Sequence, residues 1–169
     1  MIRLCFYEMT WTNQAMIGED PDMKVVVKDY IIPLMHDQLQ HIKSTSSVSE
    51  QWKCLQMSWI LHHIECSQGW VDELNEREET LREGLKRMDE VLGENKIKHQ
   101  VYGLFLNNLG YVCEVTSRYE EAASFFKQAI AAYKAATDYH GDKEERKRKI
   151  EWSENNLRRV QQEIKCLVM

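Results

Sequence analysis

LFLNNLGYVCEVTSRYEEAASFFKQAIAAYK, residues 104–134, decides how the rest of the chain is read. Leu106, Leu109, Val112 and Val115 recur at spacings of three, the apolar stripe of a helix. Gly110 lies among them, where a side chain would keep a neighbouring helix away. Ala122, Phe126, Ala129 and Tyr133 recur at four, three and four, so a second helix alternates small and large residues on one face. Thr116-Ser117-Arg118-Tyr119 joins the two, with Ser or Thr placed to accept the first free N–H groups of the second helix. Helices that offer small residues to each other pack closely, so the stretch predicts an antiparallel helical hairpin.

Composition extends that class to the whole chain. With 7 Gly and 2 Pro in 169 residues, the punctuation needed for many short strands is missing, and the class is all-α. Hydrophobic residues at 43% and charged residues at 29% are the balance of a folded chain rather than a disordered one. The length suits one domain over 1–169. No run approaches the roughly 18 uninterrupted apolar residues of a membrane span. The start, MIRLCFYEMTW, has Arg3 as its one cation and no small-residue cleavage site, and it does not read as a signal peptide. Cys5, Cys54, Cys66, Cys113 and Cys166 are far apart and form no C-x-x-C pair, which suits free thiols in a reducing, cytoplasmic setting. A net charge of −5 argues against a general nucleic-acid binder.

Taken in order, residues 1–17 read as a weak helix, and Gly18-Glu19-Asp20-Pro21 supplies a break, a cap and a helix start. The next helix runs to about Lys43, with a kink or local break at Pro33. Residues 44–49 form a short polar link whose Ser49 caps the helix after it. From Gln51 to Cys66, the positions Trp52, Leu55, Trp59, Ile60 and Ile64 cover a broad arc, so this helix is expected to be buried on several sides, Trp52 and Trp59 included, and to end at Gly69-Trp70. Val71 to Leu92 is long and amphipathic, nearly coiled-coil in spacing and able to pair with a copy of itself, with Gly93 as its stop. Asp142 to Glu145 resembles a capping box, and the last helix carries Ile150, Leu157, Val160, Ile164 and Leu167 on one face. The expected architecture is stacked antiparallel helical hairpins, about seven helices in all. They group as 1–43, a hairpin at 50–93, the hairpin at 96–139, and a capping helix at 142–167.

Leu109-Gly110, Tyr119, Ala122, Phe126 and Ala129 stand in the relative positions of the signature residues of a tetratricopeptide repeat, which this stretch resembles over about residues 103–136. Two departures are visible: Cys113 replaces an aromatic, and Lys134 replaces the proline that often ends the repeat. The second helix is therefore expected to run on toward Tyr139. The same stretch, followed by a charged helix, is also similar to the microtubule-interacting and transport domain, a three-helix bundle. Both resemblances imply a non-catalytic module, an adaptor or scaffold that docks a peptide segment or partner helix. The alternative is a structural or oligomerisation piece of a larger helical assembly.

In the repeat family the exposed face of each first helix holds the ligand. By register that face is Leu104, Asn107, Asn108 and Tyr111, with Asn155, Asn156 and Arg159 in like positions on the last helix, where Asn155-Asn156-Leu157 echoes Asn107-Asn108-Leu109. Mid-helix Asn is a poor helix former but an able partner for a peptide backbone; the other reading is exposed polar residues or interhelical bonds. The lysine of a carboxylate clamp is absent beside Asn107, so a tail carboxylate is not the expected ligand. Arg146, Lys147, Arg148 and Lys149 form a candidate basic docking patch, set against pairing with Glu144, Glu145, Glu151 and Glu154. His62 and Cys66 share a helix face, and with His36 or His41 brought near they would approach a zinc set, but only two ligands are local and no metal or cofactor is expected. Neither Cys66 nor Cys113 has a base and orienter at a known spacing, so no catalytic residue is assigned. Trp152, alone on a charged helix, is a candidate anchor for a partner.

Overall fold

The computed structural model describes residues 21–138 and 143–168, and among them the chain is all-α, with no strand. The readings for 1–17, for the break at 18–20 and for the cap at Asp142 fall outside those residues. No described helix is long and apolar enough to cross a membrane.

The first rod is α1, Pro21–Val26, which passes through a π-helical turn, Val27–Ile31, straight into α2, Ile32–Ser44. The local break expected at Pro33 takes the form of that turn, closed by the Ile32 N–H on the Val27 carbonyl. Pro33 has no N–H to return to position 29 and its ring would press on that carbonyl, so the backbone widens just ahead of it. Helix α3, Glu50–Trp70, starts where the Ser49 hydroxyl accepts the Trp52 N–H at 3.2 Å. It ends at Trp70, at the Gly69-Trp70 stop; a Cβ at Gly69 would lie 2.8 Å from the Arg77 guanidinium, so this glycine also clears a path for Arg77. The turn comes later, through Asp72 at φ 62°. Helix α4, Leu74–Leu92, stops at Gly93, whose φ of 53° suits a residue without Cβ. A 3-10 segment, Gly93–Lys98, leads into α5, Gln100–Val115; α6, Tyr119–Ala135, and α7, Lys143–Val168, complete the chain.

The α5–α6 turn departs from expectation. No Ser or Thr caps α6; the Thr116 hydroxyl donates back to the Val112 carbonyl at 2.8 Å, and Ser117 takes up the reversal at φ 61°. Helix α6 ends at Ala135 and does not continue toward Tyr139. Tertiary bonds draw the chain away: Thr137 N–H donates to the Lys98 carbonyl at 2.9 Å, and Asp138 accepts the Gln100 N–H at 2.8 Å while facing His99 Nδ1 at 3.0 Å. Asp138 thus caps α5 from a distance. Asp138→Ala is expected to lower stability by about 0.5–2 kcal/mol in urea unfolding, with the first-turn amides of α5 losing exchange protection.

Each helix packs on its neighbour in sequence, and α3, α5 and α7 also touch in series, so the hairpins α3–α4 and α5–α6 and the single helix α7 lie side by side. Met57, Leu61 and Ile64 of α3, Leu81 and Met88 of α4, and Val101, Phe105 and Leu109 of α5 form the main core. Leu81 and Met88 are fully buried, so the stripe of α4 that would serve a coiled coil faces inward. Trp52, expected inside, is 46% exposed, because Lys53 and Cys54 take the inward positions of that turn. Glycines let aromatic rings sit on backbone. A Cβ at Gly84 would lie 2.5 Å from the Phe105 ring, one at Gly103 2.6 Å from Tyr133, and one at Gly110 2.8 Å from Phe126. The last contact is the close approach expected of the 104–134 hairpin.

Candidate functional site: a buried polar row across three helices

The residues assigned to a ligand face part company. Asn107 is 0% exposed and Asn108 8%, and Leu104 and Asn156 are also buried. Tyr111 is 41% exposed, and Asn155 and Arg159 lie on the surface. Asn155 accepts a hydrogen bond from Arg158, and Arg159 forms a two-pronged pair with Glu114 at 2.5 and 2.7 Å. Asn107 and Asn108 are used between helices.

Their bonds run in one line. Ser153 Oγ of α7 donates to Asn107 Oδ1 at 2.8 Å, Asn107 Nδ2 donates to Asn108 Oδ1 at 3.2 Å, and Asn108 Nδ2 of α5 donates to Glu65 Oε1 of α3 at 2.5 Å. Glu65, 0% exposed, is the hub. Its Oε2 takes Arg77 Nε of α4 at 2.9 Å, while Oε1 also takes His62 Nδ1 at 2.8 Å and the Cys66 thiol at 3.3 Å. A buried carboxylate is tolerated only when paired and bonded on both oxygens, and this one is. Arg77 also stands 5.6 Å from the centre of the Tyr111 ring, linking the row to the exposed aromatic one turn beyond Asn108. Reading the sequence misses Glu65 as a site residue. The signal available is its place three residues after His62, on the helix face that also carries Cys66.

No family model matches the chain, and no curated protein is significantly similar to it. Function is therefore argued from the site.

Electrostatics set the pH range of the row. Burial alone would raise the Glu65 carboxyl, but the His62 bond and charge, with Arg77, outweigh it and hold the group down at about 2 against an ordinary 4.5. Burial, and then the charge of His62, lowers His63 from 6.5 to about 4. Both shifts have the same sign on acidification, because the unfolded chain takes up protons that the folded one refuses. The His63 contribution is complete above pH 6.5 and is lost as pH falls toward 4; the Glu65 contribution is complete above 4.5 and is lost toward 2. Unfolding free energies from urea titration are expected to be flat above pH 7 and to fall in two stages below it, by about 3 kcal/mol for each group. His63→Gln removes the upper stage and leaves the lower one.

The candidate basic patch is divided. Arg146 donates to the Tyr133 carbonyl at 2.8 Å and to that of Lys134, closing the end of α6. Lys147 lies 4.0 Å from Glu151, and half-buried Lys149 lies 3.8 Å from Glu145, while Arg148 is exposed. His36 and His41 sit exposed on α2 and add nothing to His62 and Cys66; the third group that joins that pair is Glu65, and the donor atoms of the three all lie within 4.8 Å of one another. Trp152, beside Ser153, is 50% exposed.

Proposed function

We propose that the chain is a non-catalytic protein–protein interaction module, an adaptor or scaffold that docks a peptide segment or partner helix on the face along which α3, α5 and α7 lie in series. The observation that carries this is the buried row from Ser153 through Asn107 and Asn108 to Glu65, which Arg77 holds from α4. It joins the three helices with satisfied internal bonds and without any ligand, so the face is set before a partner arrives and little ordering is left to be done on this side. Asn107 and Asn108 then fix helix register, and contact passes to the exposed groups beside them: Tyr111 on α5, Trp152 on α7, and the Arg159–Glu114 pair between α7 and α5. Large aromatic rings of this kind are favoured anchors at interface centres. The resemblance of 104–134 to a tetratricopeptide repeat supports the same reading, since that family uses its first helices in this way. Cys54, Cys66, Cys113 and Cys166 are all free thiols, which fits an intracellular, reducing location as part of this proposal.

The test is a photo-crosslinking amino acid placed at Tyr111 or Trp152 and, as controls, at exposed Lys127 of α6 and Glu90 of α4. Discrete protein adducts at the first pair, absent at the controls and lost when Arg159 is reversed to Glu, are the expected result. Adducts confined to the control positions, or none at any of the four, would reject the docking face.

A further inference from the structure

His62, Glu65 and Cys66 occupy a single turn of α3, and their donor atoms converge. His62 Nδ1 is 2.8 Å from Glu65 Oε1, and Cys66 Sγ is 3.3 Å from that oxygen and 3.8 Å from His62 Nδ1. An ion with zinc-like bonds of about 2.0–2.3 Å holds nitrogen, oxygen and sulfur donors about 3.3–3.6 Å apart, so the three edges agree to within about half an ångström. The backbone of the turn lies inside a long helix, which leaves side-chain rotation as the only adjustment.

The groups behind the donors are in position as well. Arg77 holds Glu65 Oε2, fixing the carboxylate plane and leaving Oε1 turned to the cluster, the supporting role that outer groups play around metal ligands. Oε1 is crowded, with the His62 N–H, the Cys66 S–H and Asn108 Nδ2 all directed at it. One cation in place of the first two hydrogens relieves that crowding; the thiol proton and the Nδ1 proton of the imidazolium both leave to solvent, and the neutral imidazole keeps its proton on Nε2. His62 and Cys66 are only part-buried, which gives an ion a way in. Charged groups from the neighbouring helices bear on the same point. Burial, and then the Glu65 charge, push the Cys66 thiol well above its usual range, so it is the ion itself that must draw off the proton; Arg77 from α4 and Lys149 from α7 favour the thiolate and disfavour the dication, and Glu65 does the reverse. A donor set of thiolate, imidazole and one carboxylate selects borderline metals over magnesium or calcium.

We propose that His62, Glu65 and Cys66 form a binding site for one borderline transition-metal dication, Zn2+ or Co2+ in vitro, with water in the remaining position. This inference is independent of the docking face.

The experiment uses the full chain with Cys5 and Cys166 changed to Ser, so that those thiols do not contribute, stripped with chelator and titrated with Co2+. One equivalent is expected to produce a cobalt–thiolate charge-transfer band that Zn2+ removes and Mg2+ does not. Cys66→Ser is expected to abolish the band, and His62→Ala to weaken binding about tenfold or more. Far-UV circular dichroism establishes that each variant is folded before titration. A readout on the unsubstituted site needs no further variant: X-ray absorption of the one-equivalent zinc form should show one sulfur at about 2.3 Å and lighter donors at about 2.0 Å. No thiolate band, a band that survives Cys66→Ser, or a zinc shell without sulfur overturns the proposal.

Discussion

Glu65→Ala is expected to lower the unfolding free energy by about 3–5 kcal/mol, more than any other polar substitution among the described residues. The reason lies in what remains behind. Arg77 keeps a charge with its carboxylate gone, Asn108 Nδ2 loses its acceptor, and His62 and Cys66 lose theirs. Each abandoned donor brings its own desolvation penalty, which exceeds the net value of the bond it used to make. Glu65→Gln keeps an acceptor oxygen but no charge, and falls between the wild type and Glu65→Ala. Removing both ends tests the explanation: Glu65→Ala combined with Arg77→Met is expected to be less damaging than the sum of the two single changes, because no unpaired charge is left. Urea unfolding in the presence of chelator gives all four values. A loss under about 1 kcal/mol for Glu65→Ala would place the row among surface-like ion pairs and remove its claim to hold the helices together.

Phe105→Ala is expected to have a similar effect, about 3–5 kcal/mol, by a different route. The ring is fully buried, rests on the bare backbone of Gly84 and lies edge-on to His62 at 6.5 Å between centroids. No side chain at position 84 can swing into the space its loss creates. The reciprocal change, Gly84→Ala, puts a methyl 2.5 Å from the ring and is expected to overpack by about 1–3 kcal/mol, offset by up to about 1 kcal/mol of helix propensity. Pairing Gly84→Ala with Phe105→Leu makes room for the methyl, and the double variant is expected to be more stable than additivity allows by about 0.5–3 kcal/mol. Additive behaviour within experimental error would mean that the two helices relax apart and that the contact is not a tight one.

Much of the helical layout is legible because it is written in local periodicity. The stripes in 104–134 and the glycine that admits Phe126 need only neighbours three and four residues away. Helix ends are less legible where distant groups decide them. Asp138 draws the chain off α6 by bonding to α5, 38 residues earlier in sequence, and no pattern near Ala135 shows it. Gly69 marks the end of α3, but its second use, making space for a side chain from the next helix, is not visible in the sequence. The asparagines stand out as unusual mid-helix residues, yet the direction they face does not show. Residues 103–110 are buried on every side, so α5 has no polar face there from which outward could be told from inward. Glu65 is hidden for a related reason: its partners from other helices lie 12 and 43 residues away, and only the fold brings them together.

The most direct test of the account is native-state hydrogen exchange on α3, α5 and α7. If the Glu65–Asn108–Asn107–Ser153 row makes one fixed face, amides around Ile64, Asn108 and Asn156 should open with a single free energy equal to that of global unfolding, and Glu65→Gln should split them into separate, weaker openings. Wild-type α7 exchanging well below the global free energy while α3 and α5 stay protected would contradict it, because the last helix would then not belong to the face.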